Sequence, residues 1–210
     1  MLVDLDGTLA DSHPVLWAAF DGFLRVQGVT ATRAAFESLD GASLPEIVAA
    51  LRERHGLSEP VGQLVRDYEL GLESAYRTIE PAAGAYELVD VARGAGVRLV
   101  LVTSAPRALA AAFLAGAGLN EFFVGVVSCE DGAVKPDPAP YRAALRLASV
   151  EPTSALAVDD APLGVRSAVA AGLSAIGIAN SAERAAVLLA EGARRVVADL
   201  HELAHALERG

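Results

Sequence analysis

Cysteine is all but missing from this chain: Cys129 is the only one in 210 residues. No disulfide can close within such a chain, which fits a reducing compartment, the cytoplasm. Cys129 itself reads as a small buried or loop residue before it reads as a nucleophile. No apolar run reaches the length needed to cross a bilayer. The opening segment lacks a basic region and is interrupted by Asp4, Asp6 and Asp11, so it does not read as a signal peptide. Basic runs are missing too, as is any interleaving of basic and aromatic residues. Lys and Arg number 17 against 27 Asp and Glu, a formal net charge of −10, and an acidic surface repels a nucleic-acid backbone. Nucleic acid and membrane are therefore not expected as partners, and the oligomeric state is not legible. Internal repeats and low-complexity linkers are absent. Hydrophobic residues, in contrast, make up 53% of the chain, enough for one large domain or one domain with an insertion.

The most informative segment is Leu2-Val3-Asp4-Leu5-Asp6-Gly7-Thr8-Leu9. In an extended strand, residues i and i+2 point to the same face, so Asp4 and Asp6 aim the same way. Gly7 then allows the backbone to turn sharply. Two carboxylates held together are hard to keep ionised without a cation between them, which makes the pair a metal and acid/base candidate. A strand that merely ends in polar turn residues is the plainer alternative, because aspartate is common in turns.

Three later segments weigh against that alternative. Thr103-Ser104 closes the apolar run Val97–Val102, Lys135-Pro136-Asp137-Pro138 sets one lysine among prolines, and Asp159-Asp160 closes Ala155–Val158. Gly164 and Ala168-Val169-Ala170-Ala171-Gly172 follow. Each segment alone is weak, but the ordered set spans most of the chain. It resembles the four motifs of the haloacid dehalogenase superfamily, and in particular the phosphoglycolate phosphatase and β-phosphoglucomutase-like subfamily, which carries a helical cap.

That resemblance implies roles. Asp4 would be the nucleophile that forms an aspartyl-phosphate, splitting one hard hydrolysis into two easier displacements. Asp6 would protonate the leaving oxygen and then activate water. The Thr103 hydroxyl and the Ser104 backbone N–H would bind phosphate oxygens, and Lys135 would pair with the nucleophile and the phosphate. The carboxylates Asp4, Asp6, Asp159 and Asp160 would face only Lys135 as a motif cation, so an anionic substrate needs a divalent cation to enter. Oxygen-rich ligation without thiolates points to Mg²⁺. The resemblance places it on the Asp4 carboxylate, the Asp6 carbonyl and Asp160. Asp159 stands where many relatives carry glutamate, one methylene longer, and would reach either the metal or its water. Ala161 stands where relatives often have serine. Lysines are usually solvated and Thr-Ser pairs often cap helices, so each assignment also has a structural reading. His13 reads chiefly as a helix-start residue, with a reach into the pocket as the alternative. Trp17, Phe20 and Phe23 fall at helical spacing and read as packing residues.

The expected fold class is α/β, a doubly wound parallel sheet with a Rossmann-like core and an inserted all-helical cap. Apolar strands are predicted at Val97–Thr103, Phe123–Val127, Ala155–Asp159, Ala175–Ile178 and Arg195–Val197. Helices alternate with them at Ala83–Ala95, Arg107–Ala117, Pro140–Ala148, Leu163–Ala171, Ala182–Ala190 and Leu200–Glu208. In such sheets ligands bind at the carboxyl ends of strands, where the motif residues fall. Residues 12–81 are expected to form the cap, with helical periodicity in Val15–Val26, Leu44–Arg54 and Leu64–Tyr76, and residues 1–11 and 82–210 the core. Hinges are expected near Leu9–Asp11 and Ile79–Ala83. Only three residues precede Asp4 although the strand it ends should be central; the strand is unusually short or the native chain starts further upstream.

Asp6 argues for phosphate esters, because relatives that cleave carbon–halogen bonds lack an acid there. The cap segment Leu39-Asp40-Gly41-Ala42-Ser43-Leu44 keeps the subfamily's glycine but not the flanking basic residues that hold a second phosphate in mutases. Gly41 and Ser43 are candidate specificity residues, and Asp40 would repel a phosphate. The expectation is a phosphatase of a small phosphorylated metabolite, of phosphoglycolate or sugar phosphate type. A β-phosphoglucomutase-like mutase is the alternative, and a non-catalytic module phosphorylated on Asp4 is the alternative from another class.

Overall fold

The computed structural model describes residues 1–209. Six short strands form one parallel sheet: β1 (Leu2–Val3), β2 (Leu99–Val102), β3 (Phe123–Val127), β4 (Leu156–Asp159), β5 (Ser174–Ile178) and β6 (Arg195–Val197), in the spatial order β3-β2-β1-β4-β5-β6. The order reverses direction at β1, so β1 is the switch point of a doubly wound sheet, where ligands collect at the strands' carboxyl ends. Side chains alternate across it. Leu2, Val100, Val102 and Ala157 pack on one face with Tyr141 and Val165, while Val3, Leu99, Leu101 and Val158 pack on the other with Leu88 and Phe113. The first face is covered by α7 (Ala139–Ala148), α8 (Pro162–Ala170) and α9 (Ala182–Ala190), the second by α5 (Ala85–Gly94), α6 (Arg107–Gly116) and α10 (Leu200–Glu208).

In this chain β1 spans Leu2–Val3. Leu2 pairs with Val100 and Ala157, Val3 with Leu101 and Val158, and the Asp4 N–H adds a rung to the Val158 carbonyl at 2.9 Å. Leu2 and Val3 are fully buried, each worth roughly 1.5–3 kcal/mol of apolar burial. Both residues thus tie β1 into the centre of the sheet.

Between β1 and α5 the chain forms four helices, α1 (His13–Val26), α2 (Arg33–Glu37), α3 (Leu44–His55) and α4 (Val61–Tyr76). The five-residue α2 escapes the sequence pattern because it is too short to show a periodic face. On α4, Leu64, Tyr68, Leu72 and Tyr76 recur every fourth residue and are all buried. Phe23 of α1 stacks on Tyr68 with centroids 4.9 Å apart, and Phe36 packs edge to face on both Trp17 and Phe20. The connectors into and out of this helical block pair with each other: the Asp11 N–H donates to the Glu80 carbonyl and the Ala82 N–H to the Leu9 carbonyl. Among the described residues, no helix is long and apolar enough to cross a membrane.

Candidate active site

The carboxyl ends of β1, β2 and β4 meet beneath the helical block, and three sequence segments bring their charges there. After β1, the chain turns at Gly7, whose φ of 83° suits glycine. A Cβ at Gly7 would lie 2.3 Å from an Asp160 carboxylate oxygen, so only glycine lets the turn close against Asp160. Asp4 is buried at the strand end, and Asp6, half-buried, lies beyond it.

Lys135 reaches this point from the loop before α7. Its Nζ donates to Asp4 Oδ1 at 2.5 Å and to Asp159 Oδ2 at 2.7 Å, and it is 3% exposed. Such a lysine is no solvated surface residue. Asp159 is fully engaged in holding it: Tyr141 Oη donates to the same oxygen at 2.6 Å, and the Ala161 N–H to the other at 3.0 Å. Asp160 points the other way and accepts from Thr8 Oγ1 at 2.8 Å. Asp6 Oδ1 accepts from Tyr76 Oη at 2.8 Å, a bond between a core carboxylate and a helix of the inserted block.

Burial governs the electrostatics. It pushes the Asp4 carboxyl up to about 8, with the Lys135 charge opposing and Asp159 reinforcing the rise. Burial likewise raises Asp6, against the Tyr76 hydrogen bond, and raises Asp160 well above the carboxylate range, with the Asp4 charge adding to it. For Lys135 burial alone would lower the pKa, but the charges of Asp159 and Asp4 outweigh it and hold the ammonium firmly protonated. The cluster thus carries more buried carboxylate than its one lysine can neutralise. One carboxylate oxygen from each of Asp4, Asp159 and Asp160 lies within 4.8 Å of the others. Among the described residues, the second oxygens of Asp4 and Asp160 accept no hydrogen bond. Free, hard oxygen donors on an under-neutralised cluster suit a divalent cation of the Mg²⁺ type.

A cavity of about 110 Å³ opens over Asp4, Asp6 and Lys135. Thr103 and Ser104 line it from the end of β2. The Thr103 hydroxyl accepts from the Ala105 N–H at 2.9 Å, which sets the turn into α6, and Ser104 Oγ donates to the Gly41 carbonyl at 3.0 Å, joining core to helical block. Gly41 lines the cavity, with φ 79°. A Cβ there would lie 2.9 Å from Ala161 Cβ, so the small Ala161 makes room for this loop. Ser43 is not at the cavity. Its N–H and Oγ both bond Glu46 Oε2, at 2.8 and 2.6 Å, which fixes the start of α3. His13 lines the cavity, its Nε2 3.7 Å from Asp160 Oδ2. Phe20, expected only to pack, also forms part of the cavity wall. Asp40, expected to repel phosphate, is ion-paired with Arg184 of α9, which also donates to the Asp160 carbonyl at 3.0 Å.

Residues 1–178 match the family of haloacid dehalogenase-like hydrolases. The chain belongs to that family. Among relatives of this hydrolase is the phosphoglycolate phosphatase of Rhodospirillum rubrum, 32% identical over 186 residues, covering 84% of this chain and 77% of that one. The validoxylamine A 7'-phosphate phosphatase of Streptomyces hygroscopicus subsp. limoneus is 29% identical over 194 residues, 90% of each. The crystal structure of CbbY from Rhodobacter sphaeroides in complex with phosphate superimposes on this hydrolase with a TM-score of 0.83 and 26% identity, covering 96% and 94% of the two chains.

Four residues of the site carry no signal in the sequence analysis. Thr8 sits inside the first motif but reads as a turn residue. Tyr76 and Tyr141 read as members of apolar helical stripes, and only a hydroxyl on a buried position hints at more. Arg184 reads as one of many solvated helix cations.

Proposed function

We propose that this hydrolase is a Mg²⁺-dependent phosphatase that removes phosphate from a small phosphomonoester, of phosphoglycolate or sugar phosphate type, through an aspartyl-phosphate. The observation that carries the reading is a buried carboxylate, Asp4, gripped by Lys135 at 2.5 Å on the floor of a covered cavity, with a second carboxylate, Asp6, beside it. Asp4 attacks phosphorus and the bond to the leaving oxygen breaks. Asp6, which burial keeps more basic than an ordinary carboxylate, gives its proton to that oxygen. The resulting Asp6 carboxylate then takes a proton from water, whose oxygen attacks the aspartyl-phosphate, releases phosphate and restores Asp4. Lys135 offsets charge gathering on the phosphate oxygens, and Asp159 with Tyr141 keeps its ammonium in place. Thr103 and Ser104 line the phosphate side. Asp4 and Asp160, with the Asp6 carbonyl, would hold Mg²⁺, which when bound withdraws charge from the phosphate. Asp159 serves Lys135 in this reading rather than the metal.

Helices α1–α4, residues 12–81, act as the cap: they roof the cavity and exclude bulk water. The single cysteine and the acidic surface fit a cytoplasmic enzyme with no nucleic-acid partner.

The test is phosphate release from a panel of small phosphomonoesters. Turnover should require Mg²⁺, stop with chelator and return when the ion is restored. Asp4→Asn should lower kcat by at least about 10³-fold, as removal of a nucleophile does, with the circular dichroism spectrum unchanged. Activity surviving in Asp4→Asn would move the nucleophile elsewhere.

A further inference from the structure

The cavity shows a charge distribution that the phosphate chemistry does not require. Its floor is polar, with Asp4, Asp6, Thr103, Ser104 and Lys135. Its roof, from α1 to α4, presents Leu16, Phe20, Phe36, Leu39, Ile47 and Leu72. Among the described residues lining it, Lys135 is the only lysine or arginine, and it is already held by Asp4 and Asp159. His13 faces Asp160, and Asp40, the one carboxylate among the described roof residues that line the cavity, is paired with Arg184. Two further cations lie close by but off this wall: Arg184 is engaged by Asp40 and the Asp160 carbonyl, and Arg33 lies over the Trp17 ring at 3.9 Å.

Resting on the phosphatase reading above, we infer that the organic part of the substrate is uncharged: of the two types named there, this site takes the sugar phosphate type, the monophosphate of a neutral alcohol, and rejects phosphoglycolate and other substrates bearing a carboxylate or a second phosphate. The floor, with its lysine and the cation its carboxylates suit, supplies positive charge for one phosphate. Anything beyond phosphorus projects into the roof. There a second anion would lose its water to leucine, isoleucine and phenylalanine with no cation to replace it, the least favourable transfer a group can undergo. A neutral group loses far less, and its carbon-bound faces pack on Phe20 and Phe36.

Matched pairs isolate the charge. The first is 2-hydroxyethyl phosphate against phosphoglycolate, which differ only in a hydroxymethyl for a carboxylate. The second is glucose 1-phosphate against glucose 1,6-bisphosphate. The neutral member of each pair should show at least a tenfold higher kcat/KM. Ile47→Lys, which brings an ammonium to the roof, should shrink the first ratio. Phosphoglycolate or the bisphosphate turned over as well as its neutral partner would overturn the inference. p-Nitrophenyl phosphate, whose leaving group needs little help from an acid, separates the two levels. Its turnover alongside equal rates within the pairs removes only the neutral-group inference. Phosphate release from none of the five compounds removes the phosphatase reading beneath it.

Discussion

Tyr76 joins two parts of the molecule through a single hydroxyl, donated at 2.8 Å to Asp6 from 70 residues away. Tyr76→Phe keeps the buried ring and deletes only that bond, so the protein should fold normally. The freed Asp6 carboxyl should wander, and kcat should fall about tenfold, ~1.4 kcal/mol in the barrier, most for alkyl phosphates that need a proton on departure. Equal losses for alkyl and p-nitrophenyl phosphates would deny Tyr76 a role through Asp6. Cys129 makes the opposite case, a residue whose reactivity is suppressed. Burial first, then the Glu130 charge, push its thiol up to about 11. The thiol form therefore dominates at every pH below that, and alkylation by iodoacetamide at pH 8 should run roughly a hundredfold slower than for a free cysteine, rising about tenfold per pH unit up to pH 11. Fast labelling at pH 8 would show a more open site. Asp4, Asp6, Lys135 and Asp160 were legible in the sequence because carboxylates that close apolar runs and a lysine followed by two prolines fall in the order of a known set of motifs. Tyr76 and Tyr141 were not, because a buried tyrosine and a core phenylalanine obey the same periodicity.

At the scale of elements, α8 approaches β4 so closely that Gly164 has no room for a side chain: a Cβ there would lie 2.0–2.2 Å from all three carboxyl atoms of Asp159. Gly164→Ala must push the Asp159 carboxylate off Lys135. A shift of that kind in a packed interior should destabilise the fold by about 1–3 kcal/mol, a drop of several degrees in Tm, and reduce kcat together with it. A variant with wild-type melting and rate would mean that Asp159 can yield without disturbing Lys135. Strand and helix positions came through well from sequence: β3, β6, α9 and α10 fall at their predicted bounds, each set off by polar or glycine turn residues. The five-residue α2 did not, having no full turn pattern to show. The capping of α3 by Ser43 and Glu46 explains why a serine beside the cavity loop stays out of the cavity.

At the scale of the whole molecule, Arg184 clasps the helical block to the core by pairing with Asp40 while donating to the Asp160 carbonyl. A half-exposed ion pair adds only about 0.3–1 kcal/mol to stability. Its larger effect is local: Arg184→Ala leaves Asp40 unneutralised near the cavity, so KM should rise several-fold with kcat little changed. The difference from wild type should narrow as salt is raised; an unchanged KM at low salt would show that the block is held without this clasp. The register of β1 has another consequence, in the order of synthesis. Leu2 has its partners at Val100 and Ala157, so the segment that carries Asp4 leaves the ribosome long before anything it pairs with exists. Residues 13–76 can form helices locally in the interval. The sheet, by contrast, can begin only when β2 emerges and encloses the two-residue strand at its centre only when β4 follows, a slow closure of distant contacts. A nascent chain cut short before Asp159 therefore holds Asp4 and Lys135 without the carboxylates that complete their cluster, and the cluster comes into being only as β4 emerges.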